Sequence, residues 1–238
     1  MLTDTSPPAS ERITTRLLLV RHGESVATVE RRVAGRRTCA GLSPLGYEQA
    51  ARLADRFAAG HEPDVDALWS SPLPRAMQTA EALDKVLELG ISVDDELEEH
   101  RPGDADGLRF DDIVARWGQP PTDGVVYEPY LPGGESLAAF QFRIGNAVHA
   151  LVRAHLGRCV LVACHGGVID TVFRQFLGLP PRNGVDLWTL NTSITEFAAT
   201  HDAARSPSRW RLVRYDDAAH LAGLPPETPP AVAPAAEP

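Results

Sequence analysis

Leu17-Leu18-Leu19-Val20 is an uninterrupted apolar run of strand length that stops at Arg21-His22-Gly23. Side chains alternate between the two faces of a strand, so a run without polar breaks belongs to a strand covered on both sides, as in a sheet between layers of helices. A cation and an imidazole at the carboxyl end of such a strand emerge where open α/β sheets place their ligand crevices. Taken alone, the segment also fits a strand-ending base beside a turn glycine.

The run from Cys159 to Ala163 repeats this logic, with His165-Gly166-Gly167 following before a helix-period segment. Glycine after each histidine permits a tight turn and close approach of backbone to a ligand, and a helix opening there can aim free N–H groups at an anion. His165 by itself also reads as a hydrogen-bonded turn or core histidine. Arg75 lies just after a further strand-like run and at a helix start, where the macrodipole disfavours a cation unless an anion is close by. Such an arginine is either an anion ligand or a solvated surface residue.

Further strand-like runs at Ala67 to Ser70, Ile91 to Val93, Ser193 to Ala198 and Trp210 to Tyr215 alternate with helical patterns. The alternation predicts a three-layer α/β/α sandwich around a mainly parallel central sheet. Ser43 as N-cap and Pro44 at the first turn open one helix, with Ala50, Leu53, Ala54 and Phe57 on one face. A second begins near Pro74, a third runs from about Ser136 to His155, and a fourth follows Gly166-Gly167. The interval 100–132 is rich in Asp, Pro and Gly and reads as a loop-rich cap with one short helix around Phe110 to Trp117. Residues 1–14 and the Pro/Ala-rich stretch 218–238 read as tails, which leaves 15–217 as one domain.

A chain of 238 residues with 43% hydrophobic content can build one large core, and its net charge of -9 argues against nucleic-acid or anionic-membrane partners. An anionic substrate must then meet a local basic pocket. Cys39, Cys159 and Cys164 form no CxxC pair, and no apolar stretch suits a signal peptide or membrane span, so free thiols and a cytoplasmic location are expected.

The chain resembles the histidine phosphatases of phosphoglycerate-mutase-like fold from about Leu17 to Tyr215. The resemblance rests on Arg21-His22-Gly23-Glu24-Ser25, Leu42-Ser43-Pro44 with Gly46, Ser70-Ser71-Pro72 followed by Arg75-Ala76 and Gln78-Thr79-Ala80, the segment Leu97 to Gly107, Gly133-Gly134-Glu135-Ser136, and His165-Gly166-Gly167. It implies that His22 is a nucleophile that becomes phosphorylated, that Arg21, Arg75 and His165 grip the phosphoryl group with help from Gly166, and that Glu99 is the proton donor. It implies no metal and no cofactor. The expected substrate is a small phosphorylated metabolite, with a homodimer left open. Glu98 and His100 are flankers of the acid.

Three departures from the family pattern bear on specificity. Thr28 stands where the family often has a phosphate-binding Asn. Arg36 and Arg37 lie in an atypical segment, where they either bind a second anionic group of the substrate or face solvent. Ala105-Asp106 replaces the common Trp-Glu. The compact interval between Glu99 and His165 resembles the phosphatases more than the mutases; phosphoglycerate mutase and an idle phosphate-binding module are the alternatives. His61, His149, His155, His201 and His220 read as surface or helix-face residues, and Trp188, Phe197 and Trp210 as sheet packing.

Overall fold

The apolar run opens out into the central strand of a six-stranded sheet. The computed structural model describes residues 12–119, 126–180, 187–202, 207 and 209–226. Its strands are β1 (Arg12–Arg21), β2 (Ala67–Ser70), β3 (Ile91–Val93), β4 (Cys159–Cys164), β5 (Ile194–Asp202) and β6 (Arg211–Asp217). They lie in the order β3-β2-β4-β1-β5-β6. The pairs β3–β2, β2–β4 and β4–β1 are parallel, whereas β5 runs antiparallel to both β1 and β6. The expected mainly parallel sheet is therefore present, with an antiparallel flank.

Helices α1 (Val26–Val29), α2 (Pro44–Ala58), α3 (Pro74–Leu87), α4 (Phe110–Trp117), α5 (Leu137–Ala154) and α6 (Gly166–Leu177) complete the element order. Leu17, Leu18, Leu19 and Val20 are all fully buried, and they divide between two cores as strand geometry requires. Leu17 and Leu19 pack with Ile144 and Val148 of α5 and Ile169 and Val172 of α6. Leu18 and Val20 pack with Leu53 and Phe57 of α2 and Leu83 of α3.

β1 begins before residue 15. Arg12, Ile13 and Thr14 already belong to β1, paired with Asp202, His201 and Thr200, because β5 is long enough to offer them ladder partners. Residues 1–11 lie outside the described residues. After β6 the chain makes a 3-10 turn at Ala219–Leu221 that packs against α2. It is pinned by His220, whose Nε2 lies 3.0 Å from Thr192 Oγ1 and whose pKa burial and the neighbouring Arg56 push down to about 4. That histidine is structural and not a surface residue; residues 227–238 lie outside the description.

The stretch 100–132 carries α4 where the short helix was expected, and a small core of its own from Ala105, Ile113 and Leu131. Residues 120–125 are not among those described. His155 is likewise no simple surface residue, since its Nε2 accepts from Trp69 Nε1 at 3.2 Å. Phe197 is fully buried and Phe176 stacks on Trp210 at 4.5 Å between centroids, in keeping with sheet packing.

The strand-to-helix joints close on backbone contacts that tolerate no side chain. A Cβ on Gly46 would stand 2.0 Å from the Glu24 carbonyl, and one on Gly23 would stand 2.5 Å from the Gly46 carbonyl. Gly23 thus permits close approach of the turn after β1 to the start of α2. Gly46→Ala is expected to lower stability by about 1–3 kcal/mol through overpacking. The check is a lower urea midpoint with an unchanged m-value.

Candidate active site

His22 leaves the end of β1 held from several directions. Its backbone N–H donates to the Cys164 carbonyl at 2.9 Å, and its own carbonyl accepts from Asn191 Nδ2 at 2.7 Å. The next amide, Gly23 N, donates to Thr79 Oγ1 at 3.1 Å. The ring Nδ1 lies 2.7 Å from the Gly23 carbonyl. A carbonyl can only accept, so Nδ1 carries the hydrogen. On the other side, Arg75 Nε donates to His22 Nε2 at 3.0 Å, which requires a lone pair on Nε2. Both partners therefore select one neutral tautomer.

Burial, then the charges of Arg75 and Arg21, hold the His22 pKa well below its ordinary value, against a smaller upward pull from the Gly23 carbonyl. His165 is lowered in the same way, by burial first and then by Arg75, His22, Arg21 and Arg143.

Parallel pairing of β1 with β4 brings the second histidine alongside. Arg21 sits opposite Cys164, and the His22 and His165 rings meet edge-on with centroids 5.2 Å apart. His165 Nε2 lies 2.8 Å from Ser71 Oγ, which already accepts from Leu73 N at 3.3 Å. The other ring nitrogen of His165, Nδ1, is buried with no hydrogen-bond partner among the described residues, as is Thr189 Oγ1. A buried polar atom in that condition is costly unless something fills the site.

Arg75 is buried near the start of α3 and also donates through Nη1 to the Ala34 carbonyl at 2.8 Å. Arg21 donates through Nη1 to the Thr189 carbonyl, and its guanidinium lies 4.6 Å from the centre of the Trp188 ring. Trp188 consequently backs a site cation and does not pack in the sheet, because its indole offers Arg21 a π face.

Glu99 reaches the same place from the other side of the sheet's end. Its Oε2 accepts from Gly167 N at 2.9 Å, in the first turn of α6, and its Oε1 accepts from His100 N at 2.9 Å. A Cβ on Gly167 would stand 2.3 Å from Glu99 Oε1, which accounts for the second glycine after His165. The segment that carries Glu99 hangs on Arg143 of α5. Arg143 pairs through Nε and Nη2 with Glu135, at 2.9 and 2.7 Å, and donates to the carbonyls of Glu96, Glu98 and Glu99 at 2.6, 3.0 and 3.3 Å. Ser136, meanwhile, caps α5 by accepting from Ala139 N.

His22, Arg21, Arg75, His165 and Glu99 are thus gathered at the carboxyl ends of β1 and β4, with Gly166 against Arg21. Thr28 is exposed, and its hydroxyl is engaged by Ser25 Oγ at 2.9 Å. Arg36 and Arg37 face carboxylates: Arg36 is bound to Glu98 and Asp95, and Arg37 to Asp106. Among the described residues no group of three His, Cys, Asp or Glu side chains is arranged to hold a metal ion.

Asn191, Thr189, Trp188, Ser71 and Arg143 complete the arrangement. Ser71 and Arg143 sit near motif segments, whereas 188–191 carries no pattern that marks it.

The sequence profile of the histidine phosphatase superfamily, branch 1, matches residues 17–216. The chain belongs to the histidine phosphatase superfamily. Within this superfamily it is 32% identical over 206 residues to a bifunctional protein of Mycobacterium tuberculosis, a match that takes in 84% of the chain and 53% of that protein. The chain thus spans about half the length of that relative. It is 34% identical over 173 residues to the 2,3-bisphosphoglycerate-dependent phosphoglycerate mutase of Brucella ovis, covering 69% of the chain and 82% of the mutase. The solved structure of a mycobacterial glucosyl-3-phosphoglycerate phosphatase superposes with a TM-score of 0.70 at 29% identity, covering 86% of this chain and 99% of that one. Phosphatases and mutases thus both stand among the relatives of this histidine phosphatase superfamily member.

The two buried imidazoles set a pH dependence of stability. Their native pKa values lie below the unfolded value of about 6.5, so beneath that pH the unfolded chain binds protons that the folded chain does not. Stability is complete above about pH 6.5 and falls as the pH drops through it. Urea midpoints measured at about pH 7.5 and about pH 5.5 should show the fall, with a smaller fall in His22→Ala.

Proposed function

We propose that the chain is a phosphomonoester hydrolase that works through a phosphohistidine on His22, with Glu99 as proton donor. The observation that carries this reading is the locked His22 tautomer. With Nδ1–H tied to the Gly23 carbonyl, Nε2 holds the only lone pair of the ring, among Arg75, His165 and Arg21.

A phosphoryl group arriving there takes over the Arg75 Nε contact and frees the lone pair for phosphorus. Arg75 and Arg21 neutralise the charge spread over its equatorial oxygens, and in this reading His165 carries its hydrogen on Nδ1 and donates it to one of them. Thr189 Oγ1 is within the same buried region and supplies a hydroxyl. As the Nε2–P bond forms, the P–O ester bond breaks and its electron pair passes to the alcohol oxygen, which takes the proton of the Glu99 carboxyl. The ring gains positive charge, and the Gly23 carbonyl stabilises it through Nδ1–H. In the second step the Glu99 carboxylate takes a proton from water as the water oxygen bonds to phosphorus, the Nε2–P pair returns to the ring, and inorganic phosphate leaves.

Glu99 is suited to both steps by its tether. Two backbone amides hold its carboxylate beside α6, and Arg143 fixes the carbonyls of its own segment, so the acid is positioned before substrate binds. The domain that performs this reaction is proposed to run from β1 to the turn after β6, without a resident metal or other cofactor.

His22→Ala should abolish release of phosphate from p-nitrophenyl phosphate in the presence of a chelator. Glu99→Gln should slow an alkyl phosphate by about 10²–10⁴-fold while slowing the activated aryl ester far less, since nitrophenolate needs no proton to leave. The comparison is made in kcat/KM, which reports the step that breaks the ester bond, and equal losses there on both esters would remove Glu99 from the role of acid. Acid-labile, base-stable labelling of the protein by a phosphate donor, absent in His22→Ala, would report the intermediate.

A further inference from the structure

Resting on the reading of Glu99 as the leaving-group acid, we propose that the alcohol portion of the substrate carries no anionic group, and that an aminoalkyl alcohol is favoured over a neutral one. The alcohol oxygen departs toward Glu99, so the remainder of the alcohol occupies the space that Glu99 shares with the cap. That space is a cavity of about 560 Å³, with Leu73, Glu99, His100 and Gly133 in its wall.

The charge on the wall is lopsided. Three arginines, Arg36, Arg37 and Arg101, stand against six carboxylates, Glu99 among them. With Glu99 protonated for its task as acid, the carboxylates still outnumber the arginines. A relative that reads an acidic alcohol would need cations ready to receive it.

The arginines here are already committed. Buried Glu98 accepts from Arg36 Nε at 2.5 Å on one oxygen and from Arg101 Nε at 3.0 Å on the other. Asp106 accepts from Arg37 Nε at 3.3 Å, from the backbone N–H groups of Gly35 and Arg37 at 2.8 and 3.1 Å, and from the Thr38 hydroxyl. Asp95 and Glu96 hold the outer ends of Arg36 and Arg101, at 3.1 and 3.4 Å.

Exposure shows which partner is fixed. The side chains of Arg36, Arg37 and Arg101 are 55%, 68% and 45% exposed, whereas those of Glu98 and Asp106 are 6% and 5% exposed. A substrate carboxylate or second phosphate that drew Arg36 or Arg101 to itself would take from buried Glu98 one of its two cations and leave one carboxylate oxygen unpaired. It would also face Asp95 and Glu96 at close range. An ammonium group meets the opposite field, and a hydroxyl group meets no penalty of either sign. Arg36 and Arg37 therefore close the pocket to a second anion, where their positions in the chain had also allowed them to bind one.

The test compares kcat/KM of the full chain for three primary alkyl phosphates of similar size, phosphoethanolamine, glycerol 3-phosphate and 3-phosphoglycerate, with p-nitrophenyl phosphate as reference. 3-Phosphoglycerate should fall at least about tenfold below glycerol 3-phosphate, and phosphoethanolamine should exceed it. Glu98→Gln, which frees Arg36 and Arg101 from their shared anion, should raise the ratio of 3-phosphoglycerate to glycerol 3-phosphate; a ratio taken within one variant is insensitive to a general loss of activity. Equal or better turnover of 3-phosphoglycerate by the unmodified chain overturns the proposal and leaves the phosphatase reading intact, and phosphoethanolamine below glycerol 3-phosphate overturns the amine preference. No turnover of any ester, p-nitrophenyl phosphate included, overturns both.

Discussion

The parallel pairing of β1 with β4 is the contact on which the rest of the molecule depends. Its register sets Arg21 beside Cys164 and lets His22 N donate to the Cys164 carbonyl, so both strands end at one level. Two histidines, each one step beyond a strand end, are thereby brought ring to ring. Because β1 is buried on both faces, a shift by one residue would exchange Leu17 and Leu19 for Leu18 and Val20 between two differently shaped cores. The same packing that stabilises the sheet therefore fixes the site.

Buried cations and buried neutral imidazoles coexist at the sheet's end because each restrains the other. Arg75 depresses the His22 and His165 pKa values and at the same time spends its Nε proton on a neutral imidazole. Two buried polar atoms here, His165 Nδ1 and Thr189 Oγ1, have no partner among the described residues. On the proposed function, a tetrahedral oxyanion is that partner. Outside this nest the cap has the opposite character, since Glu98 and Asp106 pull the arginines of that region onto themselves. Glu99 lies between the two, in the wall of the cap cavity and bonded to Gly167 N two residues beyond His165.

Much of the architecture was legible along the chain. Strand ends followed by His-Gly, the Ser43-Pro44 start of α2 and the glycine pairs all describe local chemistry, and local chemistry survives folding. The structure agrees with the sheet, the helices and the convergence of His22, Arg21, Arg75, His165 and Glu99. Less of it could be read where a residue's meaning depends on a distant partner. Arg36 and Glu98 lie 62 residues apart, and neither announces the other. Trp188 looked like packing because stacking on Arg21 requires a loop to fold back from beyond α6. The first residues of β1 and the turn after β6 looked like tails for a similar reason, since polar edges gain their order only from β5 and α2.

Synthesis order gives one further consequence to the place of β1 in the sheet. It has neighbours on both sides, β4 and β5, and both follow it in the chain by more than a hundred residues. The bond from Asn191 to the His22 carbonyl spans 169 residues. Until β4 and β5 have emerged, the apolar run of β1 has two open edges, a state that invites pairing with other chains. Closure over such separations is slow, so this fold is expected to lean on whatever shields a growing chain. The surroundings of His22, too, are completed late: a truncated product that stops before residue 188 would hold His22 and His165 and still lack Trp188, Thr189 and Asn191, the groups that hold Arg21 and the His22 carbonyl in place.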